Sequence, residues 1–449
     1  MDLKEEILSE GLVLEDSEKY KQDMGYFTGN PKVVVSVRNT EEVVKALKIA
    51  RKYGLSVTPW GSGTSVTGAA MSDGLVIDLS KMNKILDFDD VNWVIHVEAG
   101  VILEELNSFL RERGFFFPPD PASSFLCTVG GAIAEGSGGM RCVRYGTMKD
   151  WVLALKVVLA DGSTVKLGEP LPKNRAGYDL VKLMVGSEGT LGIITEAWLK
   201  VIPLPEYKVH RILAFFNNED EIANTIYNIR KERLQPEIAE FMDYRVLNAL
   251  KEVFEFNIEI DGIGALLLDI PDFQLDRALS LIKGKVKIAK SDEEREEFYK
   301  LRSYSGLAVR SKAKLTMSED IVVPIKYLLE SIRKIRELER KYSIEAPTVA
   351  HIGDGNLHPI ITYDEHSRER AIEFFNELCE YAMKIGGTIS GEHGIGYQKR
   401  DLLVKQLEEH NGAKVIEIMR GIRKLFDPEG ILNPGKFIVH NVRNQVASE

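Results

Sequence analysis

Cysteine is scarce in this 449-residue chain: Cys127, Cys142 and Cys379 are the whole set, and no CxxC occurs. Neither a disulfide framework nor an iron–sulfur cluster ligated by this chain alone is expected. Long apolar runs are missing as well, none approaching the ~18 residues a membrane helix needs. The opening residues, Met1-Asp2-Leu3-Lys4-Glu5-Glu6, lack the apolar core of a signal peptide, so a cytoplasmic protein is expected. Basic residues number 58 against 68 acidic, a net charge of −10, with no basic stripe. That balance speaks against nucleic acid and anionic membrane surfaces as partners. The dinucleotide fingerprint GxGxxG is absent. Gly430 to Lys436 does spell GxxxxGK, but Phe437 stands where a P-loop needs Ser or Thr for magnesium. Asn433-Pro434 also favours an extended loop over a helix start, so a nucleoside triphosphatase is rejected.

What is present begins with length: 449 residues exceed one ordinary core, so two or three domains are expected. Residues 32–37 predict a strand, Thr40 to about Lys52 a helix with Val43, Val44, Leu47 and Ile49 on its buried side, and 55–58 a second strand. Further strands are expected at 74–79, 93–98 and 153–159, making an α+β domain through about Pro205. Pro203-Leu204-Pro205-Glu206 reads as a linker. Beyond it come a helix at 219–233, the apolar run 263–270, and a charged helical stretch at 291–300 with a solvated face. The helix at 367–385 places Ile372, Phe375, Leu378, Cys379, Ala382 and Ile385 at core spacing, so Cys379 reads as packing. A loop from Asp427 to Lys436 follows a final helix.

Glycine clusters at 61–68, 129–139 and 186–192, all in the first half. Glycine lets backbone N–H groups approach a phosphate closely. Pro59-Trp60-Gly61-Ser62-Gly63-Thr64-Ser65, following a strand, would cradle a pyrophosphate with hydroxyls as further donors. One such loop could be a plain surface loop; three together are not readily explained so.

In the second half lie Ala350-His351-Ile352-Gly353-Asp354-Gly355-Asn356-Leu357-His358 and Gly391-Glu392-His393-Gly394. The Gly-Asp-Gly-Asn turn would fold the two histidines toward each other. Two imidazoles and a carboxylate with an open position describe a catalytic metal site. Two histidines seven apart at strand ends are the blander alternative.

These motifs, in this order, resemble those of FAD-dependent D-2-hydroxyacid dehydrogenases in the vanillyl-alcohol-oxidase-like superfamily, near D-lactate dehydrogenases and the flavin subunit of glycolate oxidase. The resemblance spans nearly the whole chain and also rests on Asp120-Pro121, Thr128–Gly131, Gly138–Arg141, Tyr145-Gly146, Gly186–Gly192 and Asn433–Lys436. It implies an α+β fold: a two-subdomain FAD-binding domain over 1–205, a ferredoxin-like cap with the metal site over 206–415, and a C-terminal segment, 416–449, returning to the FAD domain.

The resemblance also implies FAD contacts from Pro59, Gly61, Ser62, Gly63, Thr64, Ser65 and Gly68 at the pyrophosphate. Pro121, Thr128, Gly130, Gly131, Ala134, Gly138, Gly139, Tyr145 and Asn433 would continue along the flavin, with Gly189 and Ile194 toward the adenine. Thr64 stands where covalently flavinylated relatives carry histidine, so non-covalent FAD is expected. Cys127 and Cys142 depart from the family pattern and read as spacers, with redox sensitivity of Cys142 the alternative.

Arg302 aligns with the family's carboxylate-binding arginine, against the alternative of a solvated arginine on a charged helix. His351, His358 and Glu392 would hold a divalent zinc or manganese ion. His393 would take the hydroxyl proton, unless it merely braces Glu392. His96, His210, His366, His410 and His440 read as structural. Expected, then, is metal-assisted oxidation of a small D-2-hydroxy acid, D-lactate or glycolate favoured, with electrons leaving to an iron–sulfur subunit, an electron-transfer flavoprotein or a quinone. A D-2-hydroxyglutarate-type dehydrogenase and an alkylglycerone-phosphate-synthase-like transferase are the alternatives; Arg310, Lys312 and Lys314 are the candidates for a second clamp. Assembly stays open between monomer and homodimer.

Overall fold

In a computed structural model that describes residues 2–438, the predicted opening strand, helix and strand occupy Val33–Ser36, Thr40–Lys52 and Val57–Trp60. His440 and the end of the 416–449 segment lie outside the described residues. The helix starts where the Asn39 side chain accepts the Glu42 amide, and it has acidic residues in its first turn and Arg51-Lys52 in its last. Val43, Ala46, Leu47, Ile49 and Ala50 form its buried stripe. Truncating one of the larger of these, such as Leu47→Ala, costs about 2–5 kcal/mol. The second strand runs two residues further than predicted, taking in Pro59 and Trp60, so the glycine loop starts at Gly61.

Among the described residues the chain folds as two compact units, the first made of those up to Gly138, Thr147–Leu204 and those from Glu392 on, the second of Gly139–Gly146 and Pro205–Gly391. The break at Pro205 falls where the linker was predicted. The return to the first unit comes at Glu392 rather than 416, because Glu188 accepts the Ile395 and Gly396 amides and the Thr67 carbonyl accepts the Tyr397 amide. Gly139–Gly146 goes with the second unit because Tyr145 and Arg144 both bond Glu237.

The first unit holds two sheets. One orders Val13–Leu14, Val33–Ser36, Leu75–Asp78 and Val57–Trp60, with the last three parallel. The other is antiparallel, in the order Ile85–Asp89, Val94–Glu98, Ile193–Lys200, Val152–Val158, Thr164–Gly168. The C-terminal loop joins the first sheet's edge: Val57 donates to the Ile431 carbonyl and Asn433 to that of Val57.

The second unit is built on one antiparallel sheet. Its first four strands, Val209–Phe216, Ile238–Asp243, Gly264–Pro271 and Lys285–Ile288, stand in the order fourth, first, third, second, the ferredoxin-like arrangement. Thr348–His351, Asn356–Tyr363 and Leu315–Ser318 extend it. Helix Arg368–Lys384 buries Phe375, Leu378, Cys379 and Ala382 as predicted, but Ile372 is 40% exposed and Ile385 half-buried. The buried stripe also takes in Ala371 and Phe374, each one position before a predicted core residue, Ile372 and Phe375.

Candidate functional site

In the first unit the glycine clusters converge. Pro59, the 61–65 loop, Thr128, Gly130, Gly131, Ala134, Gly189, Ile194 and Asn433 line one cleft. Two positions show why side chains are left out. Gly63 has φ +70°, and a Cβ there would sit 2.4 Å from the Trp60 ring; a Cβ on Gly130 would sit 2.6 Å from that of Ala99. Thr128 caps helix Val129–Glu135, its hydroxyl accepting the Gly131 amide at 3.1 Å. Asn433 is held by four side-chain bonds, giving its amide to the Ala69 and Glu188 carbonyls and accepting from Thr58 and Lys436. Gly68, Pro121, Gly138, Gly139 and Tyr145 do not line this cleft; Gly139 and Tyr145 belong to the second unit. Gly68 instead donates its amide to Asp23.

In the second unit the cluster is made by strand register. Antiparallel pairing sets Phe241 opposite Ala350 and Met242 opposite Val349, so the next step along brings Glu240 opposite His351. Val349 pairs with His358 and His351 with Asn356, leaving 352–355 as the hairpin loop and both histidines on one face. Gly355 turns that loop at φ +85°. The two imidazoles meet edge to face with centroids 5.0 Å apart.

Each Nδ1 has an oxygen beside it: Glu240 lies 2.8 Å from that of His351, and the Glu319 carbonyl 3.2 Å from that of His358. Such acceptors keep the proton on Nδ1 and aim Nε2 outward from the brace. Asp320, fully buried, stands 3.8 Å from His358 Nδ1 and accepts from Asn356, Ser390 and the Gly391 amide. Arg302 is 5% exposed, its Nε 2.6 Å from Glu240, so the solvated-arginine alternative does not hold. Glu392 and His393 belong to the first unit, where the His393 carbonyl lies 3.5 Å from the Thr67 hydroxyl.

Residues 31–168 match the family described as an FAD binding domain, and residues 205–437 match the FAD linked oxidases, C-terminal domain. The chain is 36% identical to the glycolate oxidase subunit GlcD of Bacillus subtilis (strain 168), over 93% of this chain and 91% of that one. It is 37% identical to a D-lactate dehydrogenase of Anaerostipes hadrus, over 92% and 90%. The chain belongs to the FAD-linked oxidases. Among solved structures, p-cresol methylhydroxylase with substrate bound shares the fold at TM-score 0.77 and 16% identity, over 97% of this chain and 96% of that one. The architecture is thus the vanillyl-alcohol-oxidase type expected from the motifs, and this FAD-linked oxidase is an FAD-dependent oxidoreductase.

Sequence reasoning missed the acids of this FAD-linked oxidase. Glu135 and Glu188 line the cleft, and both carboxyls crowd the position a Cβ on Gly394 would take, at 2.6 and 2.8 Å. Burial pushes the Glu188 carboxyl up to about 7, against two amide donors that favour its charge. Burial, then the Glu188 charge, pushes Glu135 well above the usual carboxylate range. Burial lowers Lys436 to about 7; it donates to Asn433 and to the Met71 carbonyl. GSEGTLG carries the signal for Glu188, which its glycines, taken alone, conceal.

The remaining candidates separate. Cys127 is buried, its thiol pushed up to about 11 by desolvation, and Cys379 donates to Glu319 at 2.9 Å. Cys142 is half-buried at the start of helix Cys142–Tyr145. Arg310 donates to Ser318, Lys312 pairs with Glu252 at the surface, and Lys314 lines a different, open groove. His96 stacks on Trp198 and bonds Glu196. Among the described residues no helix is long and apolar enough to cross a membrane.

Proposed function

We propose that this FAD-linked oxidase oxidises a small D-2-hydroxy acid, D-lactate or glycolate, to the 2-oxo acid with the help of a divalent metal. One observation carries the reading: the buried cluster of Arg302, Glu240, His351 and His358 joins a carboxylate-binding fork to a braced imidazole pair. FAD fits the first unit's cleft, where glycines replace Cβ atoms and Ser62, Thr64 and Ser65 offer hydroxyls, and it is held there without a covalent bond. A zinc or manganese ion suits a set of two imidazoles and the Glu392 carboxylate, the ligands we assign to it.

Arg302 holds the substrate carboxylate with its remaining N–H edge, which fixes the hydroxyl-bearing carbon. His393 accepts the hydroxyl proton at a ring nitrogen, and the Cα hydrogen departs with its electron pair. Bound FAD supplies the hydride acceptor, and a bound divalent ion supplies Lewis acidity that makes the hydroxyl easier to deprotonate. With no GxGxxG and no clustered cysteines in the chain, the electrons pass to a separate protein or a quinone rather than to NAD.

The test is a dye-linked screen with D-lactate, glycolate and D-2-hydroxyglutarate, with NAD and oxygen as alternative acceptors. Fast dye reduction by a short monocarboxylate, none with NAD and little peroxide is the expected result. Turnover confined to D-2-hydroxyglutarate would move the substrate to a dicarboxylate. A flavin that no 2-hydroxy acid bleaches would end the reading.

A further inference from the structure

Glu240 has no counterpart in the sequence motifs, yet it is the most central group of the second unit's cluster. Its carboxylate is fully buried and lies on the strand Ile238–Asp243, on the same face as Met242. Oε2 sits 2.6 Å from Arg302 Nε and 2.8 Å from His351 Nδ1, and Oε1 is also 2.8 Å from that nitrogen. One anion therefore serves two partners whose tasks differ.

We infer that Glu240 is a positioning residue that couples ion binding at His351 to carboxylate binding at Arg302. The inference rests on the proposed roles of those two residues. The sign follows from electrostatics. With no ion, Glu240 lies 2.6 Å from Arg302 Nε and 2.8 Å from His351 Nδ1, so the closer guanidinium holds the larger share of it. An ion on His351 polarises the imidazole, draws the carboxylate toward Nδ1 and loosens its hold on Arg302. The guanidinium is then freer for an incoming carboxylate. Conversely, a carboxylate on Arg302 returns Glu240 to His351 and makes the ring a more basic ligand. Linkage makes the two effects equal.

The experiment titrates Mn²⁺ into the full-length, FAD-loaded, metal-stripped protein, with and without saturating propionate, which has a carboxylate but no hydroxyl to chelate the ion. In the wild type propionate should tighten Mn²⁺ binding about fivefold or more. Glu240→Gln should weaken Mn²⁺ by about 10–100-fold, the usual effect of removing such a brace, and bring the propionate ratio close to one. Arg302→Lys offers a second route should Glu240→Gln fail to retain FAD. It keeps a cation for propionate but lacks the Nε that lies against Glu240, so the ratio should collapse and Mn²⁺ affinity without propionate should rise to that of the propionate-saturated wild type. An unchanged ratio in either FAD-loaded variant overturns the coupling and leaves the metal reading intact. Failure of the wild type to take up any divalent ion overturns the metal reading itself, and the coupling with it.

Discussion

Around Gly61, Gly63 and Gly130 the first unit clears side chains away, so the cleft wall is largely backbone. Around Glu240 the second unit does the reverse and buries charged side chains against one another. A backbone-built site tolerates no added atom, because the clash falls on main chain or on a neighbour fixed by it. A side-chain-built site tolerates little change of charge, because each group neutralises another in a medium that cannot. The two regions should therefore fail differently when altered, the one by steric exclusion of its ligand and the other by loss of chemistry with the ligand still bound in the cleft.

The sharpest break comes from the imidazoles. His351→Ala or His358→Ala should abolish ion uptake and collapse turnover, while the flavin absorbance of the purified protein is unchanged. His393→Ala should keep the ion and lower kcat by roughly 10²–10⁴-fold. Metal analysis beside the visible spectrum checks both, and loss of FAD along with the ion would show that the two sites do not fail independently.

Next in size is Arg302→Ala. Removing one partner of a desolvated charge pair costs about 2–5 kcal/mol, and here it also strands the Glu240 carboxylate. Most of that loss should appear as a raised KM for the hydroxy acid, with FAD content unaffected. An unchanged KM would assign the substrate carboxylate to another group.

A milder effect is expected from Gly130→Ala, whose Cβ would meet Ala99 Cβ at 2.6 Å and the Ala99 carbonyl at 3.0 Å. Neither neighbour can swing aside, so the cost is about 1–3 kcal/mol, and FAD occupancy should fall with it. Gly421→Ala is the built-in control, because it lies outside the cleft and nothing stands within 4 Å of its added Cβ. Equal FAD occupancy in the two variants would contradict a cleft shaped by backbone approach at Gly130.

These contrasts also explain what could be read from the sequence. Glycine spacing exposed the cleft because close backbone approach leaves a mark in composition, and the predicted 61–65, 128–134 and 189–194 residues do share one wall. The histidines showed themselves through residue type and turn chemistry, and the Gly353–Asn356 segment does close a hairpin. Glu240 left no mark, since one glutamate in an apolar strand shows its meaning only once register sets it opposite His351. Asp320 and Glu319 were hidden likewise, reaching His358 across the sheet from a different strand pair. The resemblance implies flavin contacts from Gly139 and Tyr145, but the chain passes to the second unit after Gly138 and returns only after Gly146.

The smallest effect tests the one place where the backbone-built cleft relies on charge. Glu188 is raised to about 7 from an ordinary 4.5 by burial, so its neutral form is favoured in the fold. A group raised in this way contributes stability in full below its unfolded value, and that contribution is lost as pH rises through about 7. Glu135, raised by the same burial, acts in the same direction. Lys436 is lowered to about 7, so its contribution is present above its ordinary 10.5 and already lost once pH has fallen through 7. Between pH 5 and 6 the lysine thus adds almost no slope, and the carboxyls alone should make the wild type less stable as pH rises. Glu188→Gln, neutral at every pH, removes that part of the slope while one amide acceptor remains for Ile395 or Gly396. Thermal melting of both proteins at pH 5, 6 and 7 checks it. The wild-type curve should fall more steeply than the variant's, and parallel curves would mean that Glu188 is charged throughout and the cleft carries a fixed negative wall.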